Sequence, residues 1–184
     1  VEPDAEAAAY IQTITDKFDA LQKQVVAKTS VELTINGADG KRAVRNAETN
    51  LGDLCADAYR ILLGADIAFV NGGGVRDNIK VGDITYGDII KVHPFGNEAC
   101  LVEVTGQQIK DALELGSAAY PGESGGFLQV SGLTYTINAD IPSSVVKNDK
   151  SEFVKVDGAY RVSDIMVGGQ PLDVNKTYTL ASHN

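Results

Sequence analysis

A chain of 184 residues, 43% hydrophobic and 22% charged, has material for one substantial core and too little to promise two. Its 16 basic and 25 acidic residues leave a formal net charge of -9 with no basic stripe, which argues against a nucleic-acid polymer as partner but leaves room for a mononucleotide held by one or two arginines. No apolar run approaches the roughly 20 residues of a membrane span, and Val1-Glu-Pro-Asp4 has no basic segment leading into an apolar one, so a soluble chain is expected, with any export signal outside it.

After Pro3 and an Asp4 cap, Ile11, Ile14, Phe18, Leu21 and Val25 recur every three or four residues, which predicts an amphipathic helix of about six turns. It packs on its own domain or connects to another; the sequence does not choose. Alternation of Val31, Leu33 and Ile35 with Glu32 and Thr34 predicts a half-buried strand. Thr49 or Asn50 then caps a helix whose inner face reads as Leu51, Leu54, Cys55, Ala58 and Leu62. Arg45 falls just before that cap, either as part of an anion site at a helix start or as a surface residue paired with Glu48.

Ile67 to Val70 is a continuous apolar run, expected as a central strand covered on both faces. It runs into Asn71-Gly72-Gly73-Gly74-Val75-Arg76. Three consecutive glycines cost backbone entropy that a tight turn alone does not require, so this reads as a ligand-binding loop with a cation beside it. It matches neither the dinucleotide fingerprint nor the P-loop.

Thr85 and Asp88 mark a short capped helix that Pro94 ends, leaving Phe95 in a loop as a core plug or as a face for a planar ligand. Ala99 to Val104 reads as a strand, and Thr105-Gly-Gln-Gln108 as the capping box of a further helix, with Ile109, Ala112, Leu113 and Gly116 on one side. Tyr120 to Gly126 is loop, Phe127 to Ile137 a long strand with a bulge at Gly132, and 138 to 159 a polar surface excursion. Two more strands, Val162 to Val167 and Thr177 to Ala181, close the chain. Cys55 in a helix pattern and Cys100 in a strand pattern favour two buried free thiols over a disulfide.

The chemistry is narrow. The two histidines, His93 and His183, lie about ninety positions apart, and the two cysteines are not in C-x-x-C, so no two-metal hydrolytic site is expected in this chain. No serine sits in G-x-S-x-G, so a hydrolytic triad is not expected either, and His93 reads as a loop histidine. The remaining inventory is one of binding: Arg45, Asn71, Arg76, Phe95 and Asn97. Arginine forks suit phosphate, carboxylate or ribose oxygens, and a phenylalanine face suits a purine or pyrimidine. Together they describe a nucleoside or nucleotide pocket.

Arg45-x-x-Glu48-x-Asn50-Leu-Gly-Asp-Leu54-x-Ala-Asp57-Ala, Asn71-Gly-Gly-Gly-Val-Arg76, Pro94-Phe-Gly-Asn97 and Gly126-Phe-Leu-Gln-Val-Ser-Gly132 occur here in order. With them the chain resembles the C-terminal, substrate-binding domain of the 5'-nucleotidase, UDP-sugar hydrolase and 2',3'-cyclic nucleotide phosphodiesterase family. The resemblance implies an α+β fold, a mixed sheet with packed helices, over residues 28–184, preceded by a linker-like helix over 1–27. It implies recognition of an AMP-like nucleotide, a UDP-sugar or a cyclic nucleotide by Arg45, Asn71, Gly72, Gly73, Gly74, Arg76, Phe95 and Asn97, with Phe95 as one of two aromatics that sandwich the base.

Cleavage is expected from a separate N-terminal metallophosphoesterase domain carrying two divalent metal ions. This chain is expected to hold no cofactor of its own and, alone, to be inactive. The family's Gly-Gly-Asp-Gly segment, with the second aromatic, would follow the stretch matching Thr179 to Asn184, so a fragment truncated at its C-terminal end is expected. Family habit points to the periplasm, cell wall or exterior. The alternative is a stand-alone nucleoside-binding or adhesion module without catalysis.

Overall fold

A computed structural model describes residues 4–184; Val1, Glu2 and Pro3, including the reading of Pro3 as a helix start, lie outside the described residues. In chain order the elements are α1 (Ala5–Gln22), β1 (Val25–Thr29), α2 (Asn50–Leu63), β2 (Ile67–Asn71), a 3-10 turn (Gly72–Gly74), β3 (Gly82–Thr85), α3 (Tyr86–Val92), β4 (Ala99–Thr105) and α4 (Gly106–Ser117). The C-terminal part is all strand: β5 (Leu128–Ser131), β6 (Leu133–Ile137), β7 (Val145–Lys147), β8 (Phe153–Val156), β9 (Val162–Val167), β10 (Gln170–Pro171) and β11 (Thr177–His183).

The main sheet runs β4-β11-β2-β5 and is mixed: β11 is parallel to β2, while β4 and β5 are antiparallel to their neighbours. β2 is central, and its alternation sorts its side chains between two layers. Val70 joins Leu51, Cys55 and Ala56 of α2 on one face; Ile67 and Phe69 join Ile109 and Leu113 of α4 and the β6–β9 sheet on the other. Burial on both sides explains the unbroken apolar run, each such side chain contributing about 1.5–3 kcal/mol. The fold is α+β, a mixed sheet with packed helices, as the sequence implied.

Both capping boxes form: Thr85 with Asp88 on α3, and Thr105 with Gln108 on α4. Several expectations are corrected. Helix α1 begins on its Asp4 cap but ends at Gln22, and Val25 belongs to β1, which pairs with β3. None of its residues is buried, and Ile11, Ile14, Phe18 and Leu21 stay exposed, so its apolar stripe does not pack on this domain.

The strand expected at 31–35 is replaced by a single bridge, Leu33 to Ile79. Asparagine side chains take over its hydrogen bonds: Asn50 Oδ1 accepts from the Thr34 N–H, Asn50 Nδ2 donates to the Glu32 carbonyl, and Asn78 Oδ1 accepts from the Ile35 N–H. The buried side of α2 is rotated from the expected one. It carries Leu51, Gly52, Cys55 and Ala56, whereas Leu54 and Leu62 face an open apolar groove.

The long strand through Gly132 is two strands in two sheets. Gly132 is a corner rather than a bulge: its φ is +77°, and a Cβ there would stand 2.2 Å from the Asp66 carbonyl oxygen. The excursion at 138–159 holds the β7–β8 hairpin. Both cysteines are free, Cys55 buried and Cys100 only half-buried.

Candidate nucleoside-recognition site

The triple glycine lies at the carboxyl end of β2. Its glycines are needed for chain packing as well as openness. A Cβ on Gly72 would stand 1.9 Å from the Val44 carbonyl oxygen and 3.3 Å from Arg45 Cα; one on Gly73 would stand 2.9 Å from Gly125 Cα. Hydrogen bonds seal these approaches, from the Gly72 N–H to the Phe127 carbonyl (2.7 Å) and from the Gly73 N–H to the Gly125 carbonyl (2.9 Å). Backbone crowding therefore accounts for two of the three glycines, a cause that the sequence does not reveal.

This packing carries Arg45 to the loop's side. The Ser124 N–H donates to the Arg45 carbonyl (2.9 Å), and Asn71 Nδ2 donates to the Gly125 carbonyl (3.2 Å), so segments 44–45, 71–74 and 124–125 form one wall. Gln129, 2% exposed, fixes it from beneath. Its Oε1 accepts from the Thr49 N–H (3.1 Å), and its Nε2 donates to the carbonyls of Val44 (3.0 Å) and Ala47 (2.8 Å). In the sequence Gln129 reads as an ordinary strand residue, because its partners lie some eighty positions away.

Among the described residues Arg45 forms no ion pair with Glu48. Its charge instead acts on Glu123, which Arg42 engages directly; the Arg42 hydrogen bond and charge, and then Arg45, hold the Glu123 carboxyl below its usual range. Glu48 faces Asp53, whose pKa is pushed up to about 6 by burial and then by the charges of Glu48 and Asp57.

The opposite wall is the loop after α3. The Arg76 N–H donates to the Val92 carbonyl (3.0 Å), tying the two loops together. The Arg76 guanidinium lies 5.9 Å from the Phe95 ring centre, and its Nη1 donates to the Gly73 carbonyl (3.3 Å). Phe95 is 62% exposed, so it is a presented face rather than a core plug. Asn97 Nδ2 meets His183 Nδ1 at 2.6 Å. His183 is not among the expected site residues; only pairing of β11 with β4 brings it here. His93 meets the Tyr59 ring edge-on at 6.3 Å between centroids, and burial, then the charge of His183, lowers its pKa.

A cleft of about 370 Å³ is lined by Phe69, Asn71, Asn97, Leu128 and Ser182 to Asn184, within the size range of small-molecule sites. A recess of about 90 Å³ between Gly74, Phe95, Asn97 and His183 adjoins it. Of the expected site residues, Asn71 and Asn97 line the cleft and Gly74, Phe95 and Asn97 the recess, whereas Arg45, Gly72, Gly73 and Arg76 line neither: Arg45 adjoins the glycine loop through its backbone, and Arg76 through its contacts with Gly73 and Phe95. Among the described residues no three His, Cys, Asp or Glu side chains are grouped to hold a metal ion, and no helix is long and apolar enough to cross a membrane.

Residues 25–184 match the family model described as 5'-nucleotidase, C-terminal domain. The chain belongs to that family. The match begins at Val25, the start of β1, so α1 precedes it. The domain is 35% identical over 195 aligned residues to the trifunctional nucleotide phosphoesterase protein YfkN of Bacillus subtilis, covering 99% of this chain and 13% of that protein. It is 37% identical to a 5'-nucleotidase of Vibrio cholerae, over 78% of this chain and 23% of that one. The crystal structure of a 5'-nucleotidase precursor from Thermus thermophilus superposes with a TM-score of 0.71 at 33% identity, covering all of this chain and 34% of that chain. This 5'-nucleotidase C-terminal domain therefore spans between about an eighth and a third of the relatives it matches.

Proposed function

We propose that this domain recognises the nucleoside part of a nucleotide substrate for a phosphohydrolase. In this reading a separate metal-dependent domain, holding two divalent ions, breaks the phosphoester bond, and the whole protein works outside the cytoplasm. The observation that carries it is the exposed Phe95 ring, with the Arg76 guanidinium beside it, next to a cleft lined by Asn71 and Asn97.

Each group has a task that its chemistry permits. The exposed Phe95 ring offers a stacking face for the base, with the Arg76 guanidinium near it on one side. Asn97, one end of whose amide meets His183, can meet the base edge with the other. In this reading Arg45 and Arg76, with the Asn71 amide, meet ribose or phosphate oxygens, where forked donors work best. Nothing in this inventory is a nucleophile or a base poised to cut a phosphoester, so the domain selects and another unit reacts. The name of the Bacillus relative, a nucleotide phosphoesterase, supports the substrate class.

Calorimetric titration with adenosine and AMP tests this. Weak binding that falls further in Phe95→Ala is expected. Binding by the wild type that ignores Phe95→Ala would remove the reading.

A further inference from the structure

The domain holds a second cavity, of about 340 Å³, between the first turn of α2, strands β5 and β6, and Tyr120. Among the described residues Leu128 alone lines both this cavity and the cleft beside Asn97. Two buried side chains fix its frame. Gln129 bonds the Val44 and Ala47 carbonyls, and Arg161, 4% exposed, donates from Nη1 to the carbonyls of Ser117 (2.9 Å) and Tyr120 (2.9 Å). The cavity is therefore preformed, and its size suits a small molecule.

Its lining is of two kinds. Phe127, Leu133, Tyr135 and Ile137 supply apolar and aromatic surface, and Glu48 and Asp53 supply two carboxyls. Among the described residues neither carboxyl forms an ion pair, whereas the neighbouring Asp57 is engaged by the Ser131 hydroxyl and by Arg60 at 3.7 Å. Burial, then the charges of Glu48 and Asp57, push the Asp53 pKa up to about 6. Burial also raises the Tyr135 pKa, and the Glu48 charge adds to it. The charges that act on Asp53 are thus of its own sign, and a cation between the two carboxyls would relieve both.

The lining also selects the kind of cation. Two carboxyls fall short of the ligand group that a metal ion needs. Carboxylate oxygens take N–H donors, which a primary ammonium has and a quaternary one lacks. Aromatic rings add to the binding of an organic cation, and the apolar lining suits its carbon body.

We propose that this cavity binds an organic primary amine, its ammonium group between Glu48 and Asp53 and its apolar or aromatic body against Phe127, Leu133 and Tyr135. The site goes beyond the nucleoside-recognition reading and does not depend on it.

The test is calorimetric titration of the full chain at pH 8 with phenethylamine, phenethyl alcohol and phenyltrimethylammonium. That pH lies above the Asp53 value of about 6, so both carboxyls are charged, and the amine, like a lysine side chain, is an ammonium. Phenethylamine should bind at least about tenfold tighter than the alcohol or the quaternary ion. Asp53→Asn should weaken the amine about tenfold, and Glu48→Gln, at the exposed rim, about threefold, with the alcohol unchanged within about twofold in each.

Absence of amine binding overturns the proposal, as does equal binding of the alcohol or of the quaternary ion. Amine affinity that survives either substitution also overturns it. Should Asp53→Asn not fold, Glu48→Gln decides alone, because its side chain is exposed and its shape is kept.

Discussion

The two walls of the site are built in opposite ways. The wall that carries Arg45 and the triple glycine is backbone against backbone, with Gly72 on Val44 and Gly73 on Gly125, and it is bonded from beneath by a buried glutamine. The wall that carries Phe95 and Asn97 is an exposed loop tied by the Arg76 N–H, a guanidinium–ring contact and one amide–imidazole contact. The first has no room to adjust, and the second has little else to hold it. Such a division suits a site whose charged side sets position while its aromatic side adapts to the ring it meets. Substitutions in the first wall should therefore cost stability, and those in the second should cost affinity.

Gly72→Ala presses a methyl group into the Val44 carbonyl and should cost about 3 kcal/mol or more of unfolding free energy, read from the urea midpoint. A variant as stable as the wild type would show that the wall yields. Gln129→Leu strands the Thr49 N–H and the Val44 and Ala47 carbonyls; a loss of about 2–4 kcal/mol is expected, with nucleoside affinity falling as Arg45 drifts. Phe95→Ala should do the reverse. Its affinity for adenosine should drop by roughly 1–3 kcal/mol while stability stays within about 0.5 kcal/mol.

The smallest effect lies behind the first wall. The folded-state pKa of Asp53, about 6, is above its unfolded value of 3.8, so its contribution is fully present below pH 3.8 and is lost as pH rises through 6. Asp53→Asn should thus compare better with the wild type at pH 8 than at pH 4, by about 1 kcal/mol once the solvent exposure of this carboxyl is allowed for. Thermal unfolding at the two pH values checks it, and an equal difference at both would deny the burial of this carboxyl beside Glu48.

What the sequence makes legible follows the same division between local and distant causes. The buried strand β2 and the capping boxes at Thr85 and Thr105 announce themselves, because their causes lie within a few residues. The site residues are legible as residue types around one loop. Their framework is not: Gln129 and His183 act on partners more than eighty positions away, and nothing local marks either. The strand expected at 31–35 fails for a related reason. Its alternation is real, but Asn50 and Asn78 reach its backbone before another strand does. Leu54 and Leu62 read as core because a helix's period shows that it has an apolar side and not which neighbour covers it; Leu62 is in fact 83% exposed.

The most direct measurement is a crystal structure of the domain with adenosine. The account predicts the base against the Phe95 ring, its edge at Asn97, and the ribose toward Asn71 and the arginines. Adenosine seated instead in the separate cleft between Asn46, Tyr120 and Tyr135, with the Phe95 loop empty, would contradict it.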